Sequence, residues 1–373
     1  MTLAPLRLLR QVWRDPATLA ALSLADWDLL IRQGRAADLL GQIAHACELG
    51  CGWMNIPWQP RRHLQSAALL AARQRRELVW EVEKIREALG AKGLSLVLLK
   101  GAAYALSNSA AAGGRLVSDV DILVRRNDLP VVESALLQRG WVSAKSSAYE
   151  QHYYRRWMHE IPPMKHFQRG TVIDVHHAIL PLSGRLHPST DQLLAAARPL
   201  ADDPTVKVLG PLDLVLHSAA HLFHEGEFDK GLRGLVDIDR LLLAAGGQAQ
   251  EWADLVARAH ELALQRPLFY ALRYAALLLG TPVPTTASQA LAAVPGARPA
   301  GVCLTLMDAL FLRALRPPHA STADLFTPTA RFLLYLRGHW LRMPPWLLTQ
   351  HLTRKLFTPT QPAQPPSATG AAI

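Results

Sequence analysis

Three short aliphatic segments interrupt a chain whose remaining pattern is mostly helical. The segments are Leu94–Leu99 (LSLVLL), Val117–Val124 (VSDVDILV) and Thr171–Ile179 (TVIDVHHAI). Short aliphatic runs beside turn residues predict buried strands. Helices are predicted between them at Ala102–Ser109 and Asn127–Gly140. This order of strands and helices indicates a small α/β unit.

Apolar residues at three- and four-residue spacing predict helices on both sides of that unit. They cover Leu22–Leu30, Ala36–Cys47, Leu64–Leu89, Leu212–Phe223, Leu232–Leu243, Trp252–Leu264 and Leu268–Leu279. We therefore expect an α+β protein that is predominantly helical overall. The expected divisions are a helical region at 1–90, an α/β core at 91–185, a second helical region at 186–357 and a disordered Pro-rich tail at 358–373. The stretch 281–299 is predicted to be a linker or an ordered loop.

The charge balance narrows the choice of partners. The chain has 40 Lys and Arg residues against 30 Asp and Glu, a net charge of +10. Half of its residues are apolar and 19% are charged, which excludes an intrinsically disordered chain. The basic excess favours a phosphate-bearing partner or an anionic membrane surface. No separate basic domain with interleaved aromatic residues is found, so no specific nucleic-acid partner is predicted.

The cysteines and the N-terminus favour a cytoplasmic protein. Cys47, Cys51 and Cys303 lack the spacing of a redox or zinc motif. Arginines interrupt the apolar residues of the N-terminus, where a signal peptide would have an unbroken apolar stretch. No run of about 18 apolar residues predicts a transmembrane helix.

Acidic residues inside the predicted strands are the candidates for chemistry. Asp119 and Asp121 are alternate residues of one strand, so their side chains leave the same face. Two carboxylates so close repel each other unless a cation neutralises them, and Mg²⁺ prefers such oxygen ligands. Asp174 shares a face with His176 in the third strand. If the two strands are neighbours, Asp174 completes a cluster that could hold two metal ions for phosphoryl transfer.

A basic turn precedes these acids. Lys100 and Gly101 join the first strand to a helix, where backbone amides could approach a triphosphate. Arg115 lies four residues before Asp119 and could contact another phosphate.

Taken in order, these elements resemble the bacterial uncharacterised nucleotidyltransferase family of the DNA polymerase beta nucleotidyltransferase superfamily. The resemblance rests on Leu99-Lys100-Gly101, on the segment from Arg115 to Asp121, and on Asp174-Val175-His176. It extends upstream and downstream over most of residues 20–245. It implies a small mixed-sheet core and Mg²⁺-dependent transfer of a nucleoside monophosphate from an NTP, with release of pyrophosphate. Two ions are expected, with Mn²⁺ as an alternative to Mg²⁺.

The resemblance also implies roles for individual residues. Asp119 and Asp121 would be shared metal ligands, and Asp174 would serve the metal on the acceptor side. The nucleotide, with ATP as the first choice, would contact Lys100, Gly101, Ala102, Arg115, Ser118 and His176. Ala102 departs from the usual Gly or Ser at this turn, which removes one phosphate contact. The acceptor, whether a small molecule, a peptide or a protein, is not implied.

Several histidines have two interpretations. One face of a predicted helix carries His217, His221 and His224. This face could bind zinc or could pack beside the cleft, and packing is favoured. An Arg- and aromatic-rich stretch could be an acceptor-binding loop or hairpin, or a solvated loop; it contains His152, His159 and His166. His176 could touch a phosphate or orient a carboxylate, whereas His177 is expected to be structural. An ion pair is expected between Arg233 and Asp237, four apart on a helix.

The basic, aromatic and apolar segment 331–357 leaves a second functional class open. It could make a weak contact with a membrane surface, although packing onto the helical region is favoured. Together with Ala102, it supports an alternative in which the chain is a catalytically silent binding or assembly protein.

Overall fold

The computed structural model describes residues 6–145, 147–226 and 228–344. In this part of the chain the strands form a single mixed sheet of seven, surrounded by helices, so the predicted α+β, predominantly helical class is confirmed. The strands are β1 (Leu96–Leu98), β2 (Asp119–Leu123), β3 (Trp141–Ser143), β4 (Met164–His166), β5 (Val172–His176), β6 (Arg198–Pro199) and β7 (Val206–Val208). Their order across the sheet is β3-β4-β5-β2-β1-β7-β6.

The three predicted strands lie side by side at the centre of this sheet. β1 pairs antiparallel with β2, and β2 pairs parallel with β5. Their aliphatic residues are almost fully buried, as the sequence pattern predicts; examples are Leu98, Ile122 and Val175. Parallel strands covered on both faces need such continuous apolar runs.

Four strands of two or three residues were not predicted, because none of them lies in a longer aliphatic run such as the one that contains β1. So short a segment shows no alternation of apolar and polar side chains. β3 and β4 form one edge of the sheet, and β6 and β7 extend the other beyond β1. The division at residue 185 stays a prediction, although β6 and β7 follow it in the chain and join the same sheet.

Four helices precede the sheet: α1 (Arg7–Arg14), α2 (Leu24–Ala36), α3 (Leu40–Gly50) and α4 (Trp58–Gly90). The longest, α4, has 33 residues and begins at Trp58, ahead of the predicted start at Leu64. It buries a stripe that includes Leu78, Val82, Ile85 and Leu89 against the core. Three further helices lie among the central strands: α5 (Lys100–Leu106), α6 (Leu129–Gln138) and α7 (Ala148–Trp157).

The remaining described helices follow β5. They are α8 (Thr190–Ala195), α9 (Pro211–Glu225), α10 (Gly231–Ala245), α11 (Ala249–Glu261), α12 (Gln265–Tyr274), α13 (Thr285–Ala293), α14 (Gly301–Ala314) and α15 (Thr327–Arg342). The structure corrects the linker or loop interpretation of 281–299, because the alanine-rich centre of that stretch forms α13. Alanine has the highest helix propensity, and here it outweighs the flanking prolines.

Two predictions about the C-terminal part fall partly or wholly outside the described residues. The tail at 358–373 lies outside them, as does the end of segment 331–357. Among the helices that the structure does describe, none is long and apolar enough to cross a membrane.

Candidate active site

The pairing of β2 with β5 brings the predicted acids to neighbouring strands. In this parallel register Asp121 lies opposite Asp174, and Leu123 lies opposite His176. Asp119, at the start of β2, lies opposite Val172. Residue order alone leaves this adjacency open, and the structure shows it.

Asp121 is the most strongly engaged of the three acids. Its carboxylate is buried, and its Oδ1 accepts hydrogen bonds from Lys100 Nζ at 2.8 Å and from His176 Nε2 at 2.9 Å. Burial opposes ionisation, but the Lys100 ammonium and the His176 hydrogen bond outweigh it and hold the pKa of Asp121 well below its usual range. Asp121 is therefore a permanent anion at the centre of the site.

Asp174 has the opposite character. Its Oδ1 is buried and has no hydrogen-bond partner among the described residues. Burial, followed by the nearby charges of Glu160 and Asp121, raises the pKa of Asp174 to about 7. Nearby negative charges and poor solvation disfavour ionisation, so this carboxyl gains and loses its proton near neutral pH.

These properties fit a divalent cation. When Asp174 ionises, its buried Oδ1 without a hydrogen-bond partner lies on the strand next to the ionised Asp121, and a hard cation would relieve the repulsion between the two carboxylates. Asp119 is half-buried at the same end of β2 and accepts a hydrogen bond from the exposed Ser118 hydroxyl at 3.3 Å. Asp119, Asp121 and Asp174 are the residues that would hold such an ion, but in the described structure the ligand atoms of the three do not all lie within 4.8 Å of one another.

The turn after β1 carries the predicted phosphate contacts. Lys100 has a φ of 45° in the left-handed region, where side chains other than glycine are uncommon. This conformation accompanies the contact of its ammonium with Asp121. Ala102, where the resemblance would have Gly or Ser, is fully buried and offers no hydroxyl.

Gly101 is needed for a reason that the sequence did not indicate. A Cβ at this position would collide with the Arg115 guanidinium and would lie 3.0 Å from Val117 Cγ1. The close approach of these two side chains therefore requires a glycine. A phosphate contact by Gly101 remains a prediction.

Arg115 is held by residues from elsewhere in the fold. Its Nε donates to Asp237 Oδ2 at 2.9 Å, and its guanidinium lies 5.4 Å from the centre of the Tyr104 ring. The expected Arg233–Asp237 ion pair is therefore wrong: Asp237 pairs with Arg115, and Arg233 lies 3.5 Å from Asp38. The ion pair of Asp237 with the nearly buried Arg115 guanidinium is thus more stable than a pair with Arg233, four residues away on the same helix.

One group of metal-ligating side chains lies beside the acids. Within the described ranges, it is the only set of at least three His, Cys, Asp or Glu residues whose ligand atoms all lie within 4.8 Å of one another. It consists of His159, Glu160 and His176, here called the histidine–glutamate cluster. Sequence analysis pointed to both histidines but missed Glu160. Its only signal was the His-Glu dipeptide, because the single β-bridge that joins it to His176 has no sequence pattern.

The stretch that contains His152, His159 and His166 is structured. The loop interpretation is wrong for its first part, which lies in α7. The hairpin interpretation holds for its end, because β4 pairs antiparallel with β5, the third predicted strand. His152 is exposed on α7, whereas His159 and His166 are buried. Arg155, in contrast, bonds Glu133 on the surface. Only His159 of these three histidines lies beside the acids.

The other histidine face packs beneath the site. On α9, His217 and His224 are buried and His221 is half-buried. Burial holds the pKa of all three below the usual value, and the charge of Lys100 adds to this for His217 and His221. No zinc-like convergence of these three is found in the described part of the chain. The favoured interpretation, a polar helix face beside the cleft, agrees with their burial.

The fold and the site together define an α+β protein with a cluster of acids and histidines suited to a cation at the centre of its sheet. The sequence model of the uncharacterised nucleotidyltransferase family matches residues 23–280. The match covers more than half of the chain, including every acid and histidine of the site. The chain therefore belongs to this family, which indicates a nucleotidyltransferase, a transferase enzyme. Comparisons with curated proteins and with solved structures each found no match.

Proposed function

We propose that the chain transfers a nucleoside monophosphate from an NTP to an acceptor and releases pyrophosphate. ATP is the expected donor, and the acceptor is a small molecule, a peptide or a protein. The reaction depends on a divalent cation, Mg²⁺ or Mn²⁺, with two ions expected. The chain acts in the cytoplasm and is a bacterial member of the DNA polymerase beta superfamily.

The observation that carries this proposal is the in-register pairing of Asp121 with Asp174. It supports an anionic centre on two adjacent strands, with Asp119 at the end of the same strand. Asp119 and Asp121 would be the shared ligands, and Asp174 would serve the acceptor side. When bound, a divalent cation supplies charge neutralisation for the phosphates and a more acidic acceptor hydroxyl.

The chain's own residues position the substrates. Lys100, in the turn after β1, donates a hydrogen bond from its ammonium group to Asp121, and a triphosphate can compete for that ammonium group. Ser118 is exposed next to Asp119, within the segment expected to face the nucleotide. His176 holds Asp121 in place through Nε2. These groups hold the reacting atoms in line, which accounts for much of phosphoryl-transfer catalysis.

The test uses purified full-length chain, each NTP labelled at the α-phosphate, and a cell extract that supplies acceptors. We expect label in one class of acceptor, dependent on Mg²⁺ or Mn²⁺. Asp119→Asn and Asp121→Asn should each abolish transfer, whereas Asp254→Asn, on the exposed side of α11, should not. Absence of NTP binding under every metal condition would contradict the proposal.

A second function is favoured by exposed apolar side chains on the C-terminal helices. Phe332, Leu336 and Trp340 on α15 are all more than two-fifths exposed. This surface supports a catalytically silent protein that contacts a membrane or an assembly. Flotation with anionic liposomes that is lost on deleting residues 331–373, together with absent nucleotide transfer, would favour this function.

A further inference from the structure

The histidine–glutamate cluster offers a donor set that differs from the three acids. It combines two imidazole rings with one carboxylate, whereas Asp119, Asp121 and Asp174 offer oxygen alone. Two histidines and a glutamate are ligands suited to Zn²⁺ and related transition-metal ions. Mg²⁺ prefers oxygen donors and binds poorly to such a set.

The backbone holds the three ligands rigidly. His177 N donates to His159 O at 2.8 Å, and Ile161 N donates to Val175 O at 3.0 Å. Between these bonds, Glu160 and His176 form an antiparallel β-bridge. The segment of His159 and Glu160 is thereby fastened along the end of β5, with the two imidazole centres 5.1 Å apart.

Burial and hydrogen bonding prepare the rings for a metal ion. His159 is 7% exposed and His176 is 1% exposed, and neither Nδ1 has a hydrogen-bond partner among the described residues. His176 Nε2 donates to the ionised Asp121 at 2.9 Å and also lies 3.5 Å from Glu160 Oε2, so in the neutral ring the lone pair lies on Nδ1. A carboxylate behind a histidine in this way fixes the tautomer and makes the ring a stronger ligand.

We propose that His159, Glu160 and His176 bind a divalent transition-metal ion, Zn²⁺ in the first place, at a site separate from the magnesium site of the three acids. The ion fastens the His159–Glu160 segment to β5 and holds His176 against Asp121. This inference does not require nucleotide transfer, and it stands or fails by metal binding alone.

The experiment titrates the chelator-treated full-length chain with Co²⁺, read by visible absorption, and with Zn²⁺, read by calorimetry, at neutral pH. We expect one equivalent of either ion, with the absorption of a nitrogen- and oxygen-ligated site. Millimolar Mg²⁺ should not displace it. Binding that Mg²⁺ displaces would place the cobalt at the three acids and overturn the proposal.

Variants locate the ligands. Glu160→Gln keeps the shape of the side chain and, like His159→Gln, is expected to weaken binding by more than the roughly 10–100-fold that loss of an outer partner costs. The matched controls are His177→Gln, next to His176 in the chain, and His221→Gln on α9, both expected to bind as the unchanged protein does. Circular dichroism checks that each variant is folded.

Besides displacement by Mg²⁺, two further outcomes overturn the inference: no binding by the folded wild type, or unchanged affinity in both Glu160→Gln and His159→Gln. Asp119→Asn separates this site from the proposed activity. It should abolish nucleotide transfer and leave cobalt binding intact. A chain that binds cobalt at the cluster but transfers no nucleotide would refute only the proposed function.

Discussion

Asp174→Asn is expected to stabilise the metal-free protein at alkaline pH while it abolishes nucleotide transfer. Burial, Glu160 and Asp121 raise the pKa of Asp174 from the ordinary 3.8 to about 7 in the folded chain. The folded state keeps a proton that the unfolded chain has lost between these values. The free energy of unfolding therefore falls as the pH rises from about 4 to about 7, and stays lower above it.

The size of the effect follows from the shift. About three pKa units correspond to up to about 4 kcal/mol above pH 7, and solvent near this half-buried side chain reduces that to about 2–3 kcal/mol. Asparagine cannot ionise, so the variant gains this amount at alkaline pH. At pH values below about 4, wild type and variant should differ little.

The assay is urea unfolding in EDTA at several pH values from about 4 to about 8.5, which covers the interval between the two pKa values of Asp174. Asp254→Asn is the matched control, because Asp254 is exposed on α11 and accepts one hydrogen bond, from Gln250. Added Mg²⁺ should raise the stability of wild type but not of Asp174→Asn. An equal pH dependence in wild type and Asp174→Asn would refute the reasoning.

Three further substitutions test the contacts around the site by chemical unfolding. Lys100→Met removes the ion pair with the buried carboxylate of Asp121 and should lower the free energy of unfolding in EDTA by about 1–3 kcal/mol. The control Lys92→Met, on the surface, should change it little. Gly101→Ala puts a Cβ against Arg115 and Val117 and should lower the free energy of unfolding by about 1–3 kcal/mol. Gly90→Ala is the control and should leave it unchanged, because nothing lies within 4 Å of a Cβ there. Equal effects at both glycines would contradict the packing argument. Asp237→Asn leaves the Arg115 guanidinium without its counter-charge and should cost about 3–5 kcal/mol, and Arg233→Gln should change stability by less than about 1 kcal/mol. A larger loss of stability in Arg233→Gln than in Asp237→Asn would contradict this assignment and support an ion pair between Arg233 and Asp237.

The centre of the fold was predictable because its sequence signals are local. A continuous aliphatic run identifies β1, short segments rich in Val and Ile identify β2 and β5, and alternation within β2 places Asp119 and Asp121 on one face. The helices that flank the sheet follow from their apolar spacing. Residue order alone could not establish that β5 lies beside β2, which brings Asp174 opposite Asp121.

The parts that were missed depend on contacts distant in the chain. Glu160 reaches the site through one β-bridge, and a bridge of one residue has no periodicity. Arg115 takes its partner from 122 residues further on, although Arg233 lies only four residues from Asp237. Local rules favour the near pair, whereas burial of the Arg115 guanidinium decides for the distant one.

The reach of α10 has a consequence for synthesis of the chain. Asp237 holds Arg115 beside the phosphate turn, and two residues later Asp239 accepts hydrogen bonds from Trp13 and Arg14 of α1. Neither contact can form until α10 has been synthesised, which is nearly two thirds of the way along these 373 residues. Long-range contacts of this kind slow folding, and unfinished chains expose the surfaces that they will later cover. Folding of the nascent protein therefore depends on the completion of α10. The speed of translation up to residue 231 is then a determinant of the yield of folded protein.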